Sequence, residues 1–241
     1  MRFKLHPDFP DKKSFLLDIE NHFNTSSNSI HKARNEIKII NAFVVKSFKI
    51  PHIINKIAYT FFRDSKAKKS FDNAIKVGEF TPKPLGYIEF IAGGLLTNSY
   101  YISIHFNYDF TIREPLLDVD FEDRDALFIA FTNFTYQLHQ KGIYHKDYSP
   151  GNILIKKQDA TYTFQIVDIN RMEFKELSLE ERLQNFSKLW ADDEDLTFMI
   201  TAYANLLDEE EAPLIEKALA FSRAHKEKKN MKKKLKSRFK R

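Results

Sequence analysis

Residues 143–155 read IYHKDYSPGNILI. An acid, Asp147, stands five places ahead of an amide, Asn152, and an apolar run follows at once. Asp, Ser, Pro, Gly and Asn are also what turns are made of, so the stretch by itself reads equally well as a turn entering a buried strand. Its surroundings decide between the two readings.

Upstream, Leu127, Phe131, Phe134 and Leu138 fall at i, i+4, i+7 and i+11. That spacing predicts a helix from about Asp120 with one apolar face, stopped by Gly142. His139 is expected on the exposed side of this helix. A short strand then reaches Asp147, and a four-residue loop leads to Asn152. Such a loop can hold a carboxylate at the base position for an incoming hydroxyl and aim an amide oxygen at a hard cation. His145 is expected to pack and hydrogen-bond so as to hold the backbone. Downstream, YTFQIVDI predicts a second strand. Pairing 153–155 with 164–167 would bring Asp168 near Asn152, where the two can hold Mg²⁺ against nucleotide phosphates.

A cation for the phosphates is sought earlier in the chain. EIKIINAFVVKSF (36–48) predicts two strands with a turn at Asn41-Ala42. Lys46 shares a strand face with Val44 and Phe48, one cation in an apolar row. It is read as a phosphate-binding group or as an edge lysine with its head in water, and Lys49 is its rival on the other face. Residues 49–80 have helical periodicity with Lys and Arg clustered in the middle, and KAKK (66–69) reads as a solvated helix face. PKPLGYIEF and SYYISIHF predict two more strands, joined across IAGGLLTN by a plain hairpin at Gly93-Gly94.

After the second strand the chain turns helical. SLEERLQNFSKLW opens with Ser178 and Glu181 in capping-box spacing and places Leu179, Leu183, Phe186 and Trp190 on one apolar face. Helices at about 196–207 and from near Pro213 follow.

Composition bounds the rest. The 241 residues are 43% apolar, with 23 Phe and 10 Tyr, which is ordinary for a globular chain with a real core. There is no cysteine, which excludes disulfides, thiolate nucleophiles and Cys-ligated zinc. The start lacks the apolar core of a signal peptide, and no apolar run approaches the ~20 residues of a membrane span. A soluble, cytoplasmic protein is the expectation. The net charge of +5 is uneven: residues 223–241 carry eleven Lys or Arg against one Glu, leaving 27 basic and 32 acidic side chains elsewhere. Within the basic tail, Met231, Leu235 and Phe239 make a thin apolar stripe suited to an anionic membrane surface, peripherally on its inner face. A merely solvated tail is the second reading, and RNA binding the weakest.

The motifs together resemble the lipopolysaccharide core kinase (Kdo/WaaP) family of the protein-kinase-like superfamily. YHKDYSPGNILI resembles its H-x-D-x-x-x-x-N loop, VDIN stands in place of D-F-G, VVK in place of the strand lysine, and DINR resembles the family's acid-x-x-Arg form. The resemblance spans roughly residues 30–175. It implies an α+β, bilobal protein-kinase-like fold with a small helical C-terminal lobe, divided as 1–108, 109–225 and a basic tail at 226–241. It implies ATP and Mg²⁺ as cofactors, Asp147 as catalytic base, Asn152 and Asp168 as metal ligands and Lys46 as the phosphate-binding lysine. Asp72 stands where the family tends to have a Glu paired with that lysine, and Arg171 matches a position that can brace the loop.

Three departures narrow the reading. No G-x-G-x-x-G precedes the first strands, so a nucleotide lid would have to use Ser26, Ser27 and Asn28. Asn170 replaces the D-F-G glycine, and only 73 residues follow Asp168, with no A-P-E. A peptide-binding lobe fits poorly. The expected activity is ATP-dependent phosphorylation of a sugar hydroxyl, Kdo or heptose, on a lipid-linked or small acceptor of the lipopolysaccharide inner core. The alternatives are a RIO-like atypical kinase, against which DINR lacks D-x-P-Q, and a pseudokinase or binding module.

Overall fold

The computed structural model describes residues 1–32, 35–48, 59, 62–159 and 161–238. Lys49 and Phe239, as well as most of the segment 49–61, lie outside the described residues. The chain forms two compact units, Met1–Asn107 with Asp168–Arg171, and Tyr108–Val167 with Met172–Arg241. The first unit thus reclaims a short piece of the later chain, which the linear division at 108/109 does not contain.

The first unit is built on β1 (Arg2–Leu5), α1 (Lys13–Leu17), α2 (Ile19–Thr25), β2 (Ser29–Lys32), β3 (Asn35–Ile40), β4 (Phe43–Phe48), α3 (Lys66–Val77), β5 (Pro84–Ala92) and β6 (Leu95–Ile104). Its six strands make one antiparallel sheet in the order β1-β5-β6-β4-β3-β2. Asn41 turns β3 into β4 at φ 56°, as a short polar side chain tolerates. Gly93 and Gly94, at φ 58° and 75°, close the β5–β6 hairpin in two residues, the conformation a tight primed turn requires. Alternation along each strand divides the side chains between two faces. Val45, Ile88 and Ile102 join Leu16, Ile19 and Phe23 of the two short helices in a buried cluster. On the other face α3 buries Ala67, Phe71, Ala74 and Val77, and the Phe71 ring lies 5.6 Å from that of Tyr87. Lys46 pairs across the sheet with Tyr101, and Tyr101 with Tyr87, so the lysine stands on the α3 face.

The second unit contains β7 (Phe110–Thr111), α4 (Arg113–Leu117), α5 (Arg124–Gln140), β8 (Ile143–His145), β9 (Ile153–Gln158), β10 (Thr161–Ile166), β11 (Met172–Phe174), α6 (Leu179–Phe186), α7 (Asp193–Leu207) and α8 (Glu211–Arg238). β9 and β10 pair with Ile153 opposite Ile166 and Ile155 opposite Phe164, and β7 adds a third strand. α5 buries the predicted row of Leu127, Phe131, Phe134 and Leu138, and the Phe134 ring stacks 5.1 Å from Phe164. The capping box at Ser178 and Glu181 is formed. Leu183 and Phe186 are buried, but Trp190 is not on their face: it sits past the helix end at φ 62°, 46% exposed. His139 is a second correction, being 1% exposed rather than solvent-facing. α8 starts two residues before Pro213 and continues unbroken through the basic tail as far as Arg238. Among the described residues no helix is long and apolar enough to cross a membrane.

Candidate active site

The first unit carries the predicted cation and one predicted acid. Lys46 Nζ donates to Asp168 Oδ1 at 2.5 Å and lies 5.3 Å from the Phe48 ring centroid. The lysine is mostly buried and the carboxylate one-third exposed. Asn170 Nδ2 donates to the same oxygen at 2.7 Å. Asp168 has φ 59°, the left-handed region that Asp and Asn enter more readily than most residues. The turn that follows is held from α3, where Asn73 Nδ2 donates to the Ile169 carbonyl at 2.7 Å while the Ile169 side chain is buried. Asn73 had no sequence signal, because a lone amide on a helix has none. Arg171 is exposed.

Asp72, expected to pair with Lys46, is engaged elsewhere. Its carboxylate takes Lys68 Nζ at 3.1 Å, and Asp64 takes the same nitrogen at 2.9 Å. Both are i, i+4 neighbours on α3 or its lead-in, where a short Asp finds a local cation without reaching across to a strand. Lys68 is thereby held in an ion-pair network, not simply a solvated member of the KAKK run. The end of α2 is also held by a lysine: Lys38 Nζ donates to the carbonyls of Phe23 and Ser26, both at 2.8 Å. A cation there satisfies the last carbonyls of α2. A cleft of about 390 Å³ in this unit, lined by residues including Arg2, Arg63, Lys68 and Glu89, includes neither Lys46 nor Asp168.

The second unit carries the loop that follows β8. His145, 1% exposed, accepts the Asp147 backbone N–H on Nδ1 at 3.1 Å. Its Nε2 therefore bears the proton and donates to the Val167 carbonyl at 2.9 Å. The histidine pins the loop at two points, as expected. Ser149 N–H and Asn152 Nδ2 both donate to the Asp147 carbonyl, at 2.7 and 2.9 Å. Asn152 N–H in turn donates to Ser149 O at 2.9 Å. Tyr148 is fully buried against Phe131, its hydroxyl donating to Thr135, which itself donates to Phe131 O. The backbone on both sides of Asp147 is thus tied down while its side chain is exposed. Because Asn152 spends its NH₂ end on Asp147 O, the amide oxygen is the end it can offer a cation, as a metal ligand must. Its carbonyl accepts from Val167 N–H at 2.9 Å, and Asp168 is the next residue in the chain.

Four further groups support this loop from behind. Asn185 Nδ2 donates to His145 O at 3.0 Å, and its Oδ1 lies 3.1 Å from His139 Nε2. His139 Nδ1 accepts from the Tyr203 hydroxyl at 2.8 Å. Burial holds the His139 imidazole down to about 4 and pushes the Tyr203 hydroxyl up to about 12, so both are neutral at pH 7. Lys188 Nζ donates to Tyr144 Oη at 2.9 Å and stands 4.2 Å from that ring's centroid. Among the described residues no group of three or more His, Asp or Glu gathers into a metal cluster. The first unit offers a carboxylate, Asp168, and the second an amide oxygen, Asn152, both donor types that suit a hard cation such as Mg²⁺.

Comparison with known structures agrees on the fold, a sheet-bearing part followed by a helical C-terminal part. A solved structure of WaaP in complex with acyl carrier protein superposes with a TM-score of 0.60, covering 95% of this chain and 99% of that one at 14% identity. A co-crystal structure of WbdD with a kinase inhibitor matches at TM-score 0.45 and 11% identity, covering 80% of this chain and 44% of that one. No protein-family model and no curated protein matches the chain.

Proposed function

We propose that this protein is an ATP-dependent kinase that phosphorylates a sugar hydroxyl, Kdo or heptose, of the lipopolysaccharide inner core. The Lys46–Asp168 contact at 2.5 Å carries the reading. It joins the residues separately expected to bind phosphate and metal, 122 positions apart in the chain. A strand lysine and a post-hairpin acid have no structural need to meet unless they serve one site.

In this reading Asp147 accepts the proton of the acceptor hydroxyl and orients its oxygen, using the loop backbone that His145 and Asn152 hold in place. Lys46 holds the nucleotide phosphates. Asn152 Oδ1 and the Asp168 carboxylate would hold Mg²⁺, which would supply neutralising charge on the transferred phosphoryl group.

The test offers Kdo-lipid A, heptose-containing core acceptors and generic protein to the purified chain with labelled ATP, beside D147N. Transfer to one of the sugar acceptors is expected, with D147N slower by about 10²–10⁴-fold. Equal transfer by D147N removes Asp147 from the base role. Failure of Mg-ATP to raise the melting temperature favours a binding module without phosphoryl transfer.

A further inference from the structure

α8 is anchored at one end only. Leu214, Ala218 and Ser222 are buried. Lys217 meets Glu180 at 2.8 Å, and Lys226 Nζ donates to Ala191 O at 2.7 Å. From Glu227 to Ser237 every side chain is exposed. The helix therefore leaves the body at residue 226 as an arm of about a dozen residues, roughly 18 Å long at 1.5 Å per residue. Lysines 228, 232 and 236 follow one another at i, i+4, and so do 229 and 233. Such like-charge spacings weaken a helix standing alone. A negative surface removes that repulsion.

The arm is not uniformly polar. Ala224, Met231 and Leu235, at i, i+7 and i+11, fall on one stripe, with Met231 63% and Leu235 46% exposed. At the arm's base stands Trp190, the only tryptophan of the chain. Its ring is edge-on to His225 with centroids 6.1 Å apart, and its left-handed backbone turns it out of the α6 core. Phosphate-backbone binding alone has no use for exposed Met, Leu and Trp. A bilayer interface uses both kinds of group at once, cations at the headgroups and apolar or indole groups just beneath.

We infer that the C-terminal half of α8, with Trp190 at its base, docks the protein on a membrane leaflet carrying anionic phospholipid. Charge complementarity selects this occupant, since residues 227–241 hold nine Lys or Arg against one Glu while residues 1–222 are net acidic. The inference is independent of the kinase reading, because docking is measured without nucleotide or acceptor.

The experiment mixes the full chain with vesicles of phosphatidylcholine alone or with added phosphatidylglycerol, and reads co-sedimentation and Trp190 fluorescence. Binding is expected only with the anionic lipid, with a blue shift of Trp190 emission, and weakening as salt rises from about 0.1 to about 0.5 M. K229E/K233E should lower the partition coefficient at least about tenfold. M231E/L235E should abolish the blue shift while leaving helical circular dichroism and the melting temperature unchanged, since both side chains are exposed. No binding to anionic vesicles at low salt overturns the inference. So does binding that M231E/L235E leaves intact, and so does capture of an RNA oligonucleotide in place of the vesicles.

Discussion

Lys46 Nζ and Asp168 Oδ1 stand 2.5 Å apart, and Asn170 shares the same carboxylate oxygen. The pair tests the phosphoryl-transfer reading because its members differ in charge but serve one task. K46M and D168N are each expected to lower turnover by about 10²–10³-fold, the scale seen when a preorganised charge is removed. D168N is the cleaner variant, since Asn enters the φ 59° conformation as readily as Asp. With the carboxylate one-third exposed, the ion pair itself contributes only about 0–1 kcal/mol. Steady-state kinetics beside a thermal melt will separate a lost rate from a lost fold. Wild-type turnover in both variants would remove this pair from the chemistry.

Asn185 is expected to position the Asp147 loop without touching substrate. N185A leaves His139 Nε2–H without its partner in a buried place and His145 O with only the 3.4 Å contact of Lys188, costing about 1–3 kcal/mol for the orphaned group. The melting temperature should drop by several degrees. In the activity assay kcat should fall while KM for ATP changes little, because Lys46 and Asp168, the groups proposed to bind the nucleotide, belong to the other unit. Unfolded protein also lowers apparent kcat and leaves KM unchanged, so kcat is taken per folded molecule, from circular dichroism at the assay temperature, and a wild-type value on that basis would remove Asn185 from this role.

What the sequence displayed depended on range. The β3–β4 turn at Asn41, the Gly93-Gly94 hairpin, the β9–β10 register and the Ser178–Glu181 box were legible because each joins residues no more than 13 positions apart. That His145 holds the loop backbone was legible too, but not its second partner, the Val167 carbonyl 22 residues on. β1 was not, because four residues at a sheet edge are too short to show alternation. His139 and Trp190 were misplaced for opposite reasons. A polar residue on a helix was assigned to solvent, whereas Asn185 and Tyr203 supply its partners from segments 46 and 64 residues away. A periodic apolar row was extended past the point where α6 gives way to a short tighter turn. Asp72 failed through competition: Lys68 is one helical turn away and intercepts it.

Gly142 ends α5 at φ 67°, and a Cβ there would lie 2.6 Å from the Lys175 carbonyl oxygen. That oxygen is backbone, next to the β8–β11 pairing, and cannot swing away. G142A is therefore expected to destabilise the second unit by at least about 2 kcal/mol, beyond the usual cost of a left-handed alanine. G93A meets open space and carries only the conformational cost. Urea denaturation of the two variants should rank them in that order, and equal midpoints would mean that the strand pair yields to the extra methyl.

The buried His139 sets a pH dependence of stability. Desolvation is the main cause of its pKa falling from 6.5 to about 4 in the folded chain, opposed by its contact with Asn185. Between these values the unfolded chain binds a proton that the folded chain does not, so stability rises with pH. The contribution is complete above about pH 6.5, is lost progressively as pH falls toward 4, and changes no further below that. From pH 7 to pH 5 the loss amounts to about 2 kcal/mol. H139Q removes the titrating group while keeping a neutral polar side chain. Urea midpoints at pH 7 and pH 5 should therefore differ more in the wild type than in H139Q, whatever the variant costs at either pH. Parallel losses in the two proteins would show that other groups govern the acid side and that His139 takes up its proton without unfolding.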